Sequence, residues 1–235
     1  MKHLRLYQAL AALCCLCAFL CMTASVVYSC VLSRDTMYSG FVLYARTEHF
    51  GVGPERYGDY ARGITEYLAG KGDRVMVPGE NGESRVAFNE KENLHMEDVR
   101  GLIRLLSAIR LGTGAVFLGL AAFLYLKRGR NGRALFKGAA LGAGLWLMLG
   151  AVLTALALNG FDRFFIGFHK LFFRNDLWLL NPQTDLLIAL MPTPFFIWYG
   201  GEILKKLLPV AALAVALILA AILWNRLPNK EMKTK

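Results

Sequence analysis

The chain has 235 residues, 56% of them hydrophobic and 19% charged, with a mean hydropathy of +0.41 and a net charge of +10. A chain this apolar is no ordinary soluble domain, and its apolar residues gather in runs of the roughly 20 residues that cross a hydrocarbon core ~30 Å thick. The positive charge implies no nucleic-acid partner, because its placement reads as a membrane topology signal.

The first apolar run, Leu6 to Leu32, holds all five cysteines: Cys14, Cys15, Cys17, Cys21 and Cys30. None lies in a segment where an oxidising compartment would favour disulfides, so they read as small packing residues. Val27-Tyr28-Ser29-Cys30 resembles a lipoprotein processing site, yet the run far exceeds the ~7–15 apolar residues of a signal peptide, and we read an uncleaved span. Pro54 then opens a short helix to Leu68, with Gly70 beyond its end. The runs Val75 to Val77 and Arg85 to Phe88 flank Pro78-Gly79-Glu80-Asn81-Gly82 as a hairpin. A piece of this size does not stand alone well and is expected to fold over the outer ends of the spans as a small α/β cap.

Phe88 to Val99 leads into the second span, Leu105 to Leu126, with no proline to break a helix, which holds His95 at the membrane edge. Glu92 and His95 have the i, i+3 spacing of di-iron bundles, but such sites need two of these pairs plus further glutamates, so no metal is expected. Arg100, Arg104 and Arg110 follow on the same segment, where Arg110 can snorkel to the boundary. The third span, Leu135 to Leu158, carries Gly138, Gly142, Gly144 and Gly150 as sites of close helix approach. The span interiors hold no Asp, Glu or His, which argues against a pump or ion-coupled transporter.

Phe161 to Asp176 winds as an amphipathic helix with Phe161, Phe164, Phe165, Phe168, Leu171 and Phe172 on one face and Arg163, Lys170 and Arg174 opposite. Asp162, His169 and Asp176, seven apart, stay in register to within about 20° per step and border the two faces. Such a helix lies in the interface with its aromatics toward lipid; the same pattern also suits a plain membrane anchor. Asn181-Pro182 reads as an N-cap and first-turn proline for a short apolar helix running to Pro192, whose N-terminus could dock an oxyanion. Ordinary capping, with Asp185 offsetting the dipole, explains it equally well. The fourth span is Leu207 to Trp224.

The fold class is thus a mainly α membrane protein with four transmembrane helices, an extracytoplasmic α/β cap and an interfacial helix. It divides into residues 1–32, 33–104, 105–158, 159–206 and 207–235. The loop from Lys127 to Lys137 carries five basic residues and no acid, and the tail after Trp224 four against one. Together with Lys2 and Arg5 they place both termini in the cytoplasm. Residues 33–104, with twelve acids and ten bases, and 159–206, with four and five, face outward.

Outside the spans there is no GxSxG elbow, cysteine, HExxH or phosphate-cradling loop. The candidates for proton transfer are then His95 and His169, with Glu92, Asp98, Asp162, Asp176 and Asp185 as possible orienters.

Phe88-Asn89-Glu90-Lys91-Glu92-Asn93-Leu94-His95-Met96-Glu97-Asp98-Val99 and the stretch from Phe168-His169 through Asn175-Asp176-Leu177-Trp178 and Asn181-Pro182 to Asp185 and Ile188 resemble the bacterial four-span family that includes lipoprotein intramolecular transacylase. The later Pro-x-x-Phe-Phe element of that family has its counterpart in Pro192-Thr193-Pro194-Phe195-Phe196. The resemblance implies a plasma-membrane enzyme with its site at the outer face, acting on a diacylglyceryl lipoprotein among membrane lipids without a cofactor. It moves the sn-2 acyl chain to the α-amine of the lipoprotein's N-terminal cysteine and leaves a lyso form. His95 and His169 become the expected catalytic pair. Glu92, Asp98, Asp162, Asn175, Asp176, Trp178, Asn181 and Asp185 become the expected orienting, oxyanion or substrate-binding groups. No enzyme nucleophile is needed, since donor ester and acceptor amine sit in one molecule. Two other readings fit the same residues: a non-catalytic accessory protein with structural histidines, and a lipid ester hydrolase.

Overall fold

The computed structural model describes residues 2–79, 81–127 and 132–226. The residues at the centre of the basic loop, the tail beyond Arg226 and Glu80 of the hairpin turn lie outside them. The helices are α1 (Lys2–Val31), α2 (Arg34–Tyr44), α3 (Tyr57–Leu68), α4 (Glu90–Leu126), α5 (Gly132–Leu158), α6 (Phe161–Phe172), α7 (Leu186–Leu190) and α8 (Thr193–Arg226). Strands β1 (Met76–Pro78) and β2 (Ser84–Val86) form an antiparallel hairpin with Val77 opposite Arg85. Four helices, α1, α4, α5 and α8, are long and apolar enough to cross a membrane. The protein is therefore a multi-pass membrane protein. The expected fourth span is the C-terminal part of a longer helix: α8 starts at Thr193 and carries Pro209 inside it.

The chain forms two compact units. One draws on Met1–Ala24, Ile109–Thr154 and Leu207–Lys235. Its surface is apolar, with Leu111 and Leu118 two-thirds exposed and Leu153 and Leu223 also bare, as lipid-facing side chains are. Two of the four glycines expected to let helices close in do so. A Cβ on Gly138 would run into the Gln8 carbonyl and one on Gly142 into the Ala12 carbonyl, so α1 and α5 touch backbone to backbone there. Gly144 and Gly150 face open space and take no part. One turn beyond Gly142, Trp146 stacks on Phe19 at 5.1 Å and donates to Thr23 Oγ1 at 2.9 Å, which satisfies its N–H among apolar neighbours.

The other unit combines Ser25–Ala108 with Ala155–Lys206. Tyr60, Ile64, Phe41, Leu190, Phe195, Val75 and Val77 form its core, so residues 33–104 and 159–206 contribute to one interior. α3 begins after a 3₁₀ turn at Pro54–Arg56 and ends before Gly70, whose φ of +94° an L side chain would resist. Gly63 lies directly under the Met76 carbonyl, which lets β1 lie flat on α3. Tyr199, buried on α8, donates to the Cys30 carbonyl at 2.6 Å.

α6 is shorter than its pattern: it stops at Phe172, and Phe173 is extended at φ −115°, ψ 135°. The seven-residue row therefore breaks, because Asp176 is past the helix end. The aromatic face is also turned otherwise than expected. Phe165 packs on Phe196 at 5.1 Å and Phe168 on Phe173 at 6.4 Å, so these rings face protein, while Leu171, placed with them by periodicity, is 76% exposed.

Candidate active site

The site lies in the second unit, where the charged first third of α4 meets α6 and the loop that follows it. α4 starts with a reciprocal capping box: Asn89 N–H donates to Glu92 Oε2 at 2.8 Å and Glu92 N–H to Asn89 Oδ1 at 3.0 Å. His95 follows one turn after Glu92. The 37-residue helix is far longer than a ~30 Å core needs, and its residues up to Ala108 belong to this unit.

One face of α4 is pinned to the loop after α6 on either side of His95. Before it, Lys91 Nζ donates to the Leu179 carbonyl at 2.6 Å and lies 3.8 Å from Asp185. After it, Asp98 accepts from Asn175 Nδ2 at 2.9 Å, and Asn175 Oδ1 accepts from Leu177 N–H at 3.1 Å. Between these two clasps, His95 and His169 come together with ring centroids 6.2 Å apart and planes at 30°. Each histidine is only 7% exposed.

Aromatic rings wall the pair. Phe173 packs 5.4 Å from both histidines, and around His169 stand Phe165 at 4.2 Å, Trp178 at 5.0 Å and Phe168 at 5.5 Å. His169 Nδ1 lies 2.7 Å from the Phe165 carbonyl. A carbonyl only accepts, so Nδ1 carries the proton and the neutral ring offers the lone pair of Nε2. His95 Nδ1 is buried without a hydrogen-bond partner among the described residues. Burial pushes both imidazoles below their ordinary 6.5; His95, with His169 and Lys91 adding to the effect and Asp98 opposing it, falls to about 4. The pair is thus neutral near pH 7.

The other expected residues divide by position. Asp98 and Asn175 clasp the site, and Trp178 lines it. Glu92 and Asp185 hold the elements around it. Glu92 is 1% exposed; besides closing the capping box it accepts the Leu187 N–H through Oε1 at 2.5 Å, so one carboxylate holds the first turns of α4 and α7. At the start of α7, where an oxyanion could dock, Glu92 already occupies the Leu187 N–H. Desolvation raises the Glu92 carboxyl against the pull of these backbone donors. Asp185 accepts from Asn89 Nδ2 at 3.0 Å and Asn181 N–H at 2.7 Å. Asn181 does not cap α7; its Oδ1 accepts from Gln183 N–H at 3.0 Å inside the turn that precedes the helix. Asp162 and Asp176 are exposed, and their side chains make no hydrogen bond or ion pair among the described residues. Sequence reasoning missed Asn89, Lys91 and Phe173. The Asn89-x-x-Glu92 spacing was a readable capping signal; nothing local marks Lys91 or Phe173.

These features define an integral membrane protein whose second unit encloses a neutral, aromatic-walled histidine pair. The same fold occurs in the membrane-integral lipoprotein intramolecular transacylase Lit from Bacillus cereus, at a TM-score of 0.72 and 16% identity over 96% of this chain and 99% of that one. Two forms of that protein with one histidine replaced, by arginine or by alanine, match at TM-scores of 0.67 and 0.68, each at 16% identity over 96% of this chain and 94% and 96% of theirs. No curated protein matches the sequence. The model of the lipoprotein intramolecular transacylase family, Lit, matches residues 11–196, and the chain belongs to this family, a family of acyltransferases.

Proposed function

We propose that the protein transfers the sn-2 acyl chain of a diacylglyceryl lipoprotein to the α-amine of its N-terminal cysteine, with His169 as general base and His95 as a hydrogen-bond donor to the developing oxyanion. The observation that carries this reading is the paired geometry. His169 has its tautomer set by the Phe165 carbonyl, and beside it His95 is buried with a ring nitrogen that lacks a partner.

The amine nitrogen attacks the ester carbonyl as His169 Nε2 takes the nitrogen's proton. The carbonyl oxygen gathers negative charge and accepts a hydrogen bond from neutral His95, which burial keeps from ionising. The intermediate collapses by breaking the bond from carbonyl carbon to glyceryl oxygen, and the proton held on His169 passes to that oxygen. One ester is lost and one amide gained, with no water, cofactor or enzyme-bound acyl group. Holding both groups of one substrate together contributes on the order of 7–11 kcal/mol, which offsets the missing nucleophile. The aromatic wall keeps out the water that would turn transfer into hydrolysis.

Co-expression with a model lipoprotein, followed by mass measurement of its N-terminal peptide, tests the assignment. Transfer blocks the amine and leaves the acyl count unchanged. Loss of one chain would mean a hydrolase, and an unchanged peptide a non-catalytic protein.

A further inference from the structure

A second concave site in the same unit lies apart from the histidines. It is a cavity of about 560 Å³ bounded by Arg46, Glu48, His49, Gln183, Ile188 and Pro192. Its walls are joined by hydrogen bonds to backbone carbonyls. Arg46 N–H donates to the Ala189 carbonyl at 2.8 Å, and His49 Nε2 donates to the Pro182 carbonyl at 3.1 Å. The Arg46 guanidinium makes no hydrogen bond or ion pair among the described residues, although it stands at a preformed cavity. We propose that this cavity holds the polypeptide of the lipoprotein just beyond its modified cysteine and favours an acidic side chain there, which pairs with Arg46. The inference rests on the transacylase reading above.

Two observations select this ligand. The first is the mixed charge of the lining: Arg46 attracts a carboxylate, while Glu48 on the same rim opposes the build-up of further negative charge, which suits an isolated acidic side chain. The Gln183 amide, with apolar Ile188 and Pro192, suits an extended peptide with one acidic side chain. The second is reach. Trp178 lines the histidine site and Pro182 the cavity, and four residues of chain span at most about 14 Å. A substrate peptide leaving the histidines covers that distance in about four residues of its own.

The test uses the full-length protein in nanodiscs and synthetic diacylglyceryl lipopeptides of three kinds: Cys-Ser alone, a six-residue tether with aspartates at its fourth and fifth positions, and the same tether with lysines. We expect KM to be about tenfold lower for the aspartate tether than for the lysine tether, with kcat alike. Arg46→Glu should reverse that preference, and Cys-Ser should not respond to it. Equal KM values for both tethers, or an equal loss on all three substrates in Arg46→Glu, would overturn the assignment. If no substrate is N-acylated, the transacylase reading fails by itself, and fluorescence anisotropy of the unlipidated aspartate tether then decides the cavity. Binding that is lost in Arg46→Ala supports it, and no binding refutes it. Displacement of that peptide by phosphatidylglycerol, dependent on Arg46, would assign the cavity to lipid and overturn the proposal.

Discussion

At the scale of single residues, the two histidines should behave as a unit. His95→Ala and His169→Ala are each expected to lower transfer by about 10²–10⁴-fold while the protein stays in the membrane, and the double variant should be little worse than the worse single one. Full N-acylation by both single variants would remove the pair from the mechanism. The pH profile gives a second check. His169 stays neutral below its ordinary 6.5 and His95 down to about 4, whereas the attacking amine is protonated below about 7.7–8.0. Log kcat/KM should therefore climb with unit slope toward the amine's pKa and steepen only below 6.5. A slope of two already above 6.5 would contradict a base held neutral by burial. Stability follows the same groups. From 6.5 down to about 4 the unfolded chain takes up protons that the folded one refuses, so acidification through this window weakens the fold.

At the scale of elements, the structure ranks substitutions that look alike in the sequence. Gly142→Leu should sharply lower the amount of protein recovered in detergent, because its side chain would meet the Ala12 carbonyl, while Gly144→Leu on the same helix should be tolerated. Equal yields would mean that α1 and α5 do not touch there. Asn89→Ala removes the cap of α4 and a bond to Asp185, and should cost about 1–2 kcal/mol in thermal unfolding. Phe165→Asp puts a charge between His169 and Phe196 and should abolish activity, whereas the exposed Arg163→Gln should not. The segments Asp98 and Asn175 join are far apart in the chain, so Asn175→Ala should reduce activity in part by loosening the loop opposite His95.

At the scale of the whole molecule, long periodicities were legible and long-range geometry was not. The four apolar helices, the Pro54 helix start, the hairpin and the two histidines all follow from local composition and spacing. The end of α6 did not, because Phe173 leaves the helix to pack between histidines that come from distant segments, and no neighbour in sequence announces that contact. The bond from Leu187 N–H to Glu92 was not legible either, because the two are remote in the chain. The orientation proposed from the basic segments has its own test: a tag after Lys235 should be reachable only from the cytoplasm, and labelling from outside intact cells would reverse it.

The contact of Trp178 with His169, ring to ring at 5.0 Å, makes the protein its own indicator. An imidazolium quenches the emission of an adjacent indole far more than a neutral imidazole does. Acidifying the intact protein should therefore dim one tryptophan in step with protonation of His169, and Trp178→Phe should remove that component while leaving the emission of Trp146, Trp198 and Trp224 in place. The same signal should change when a substrate amine arrives beside the ring, so the occupancy and charge of the site can be followed by light alone, without a label.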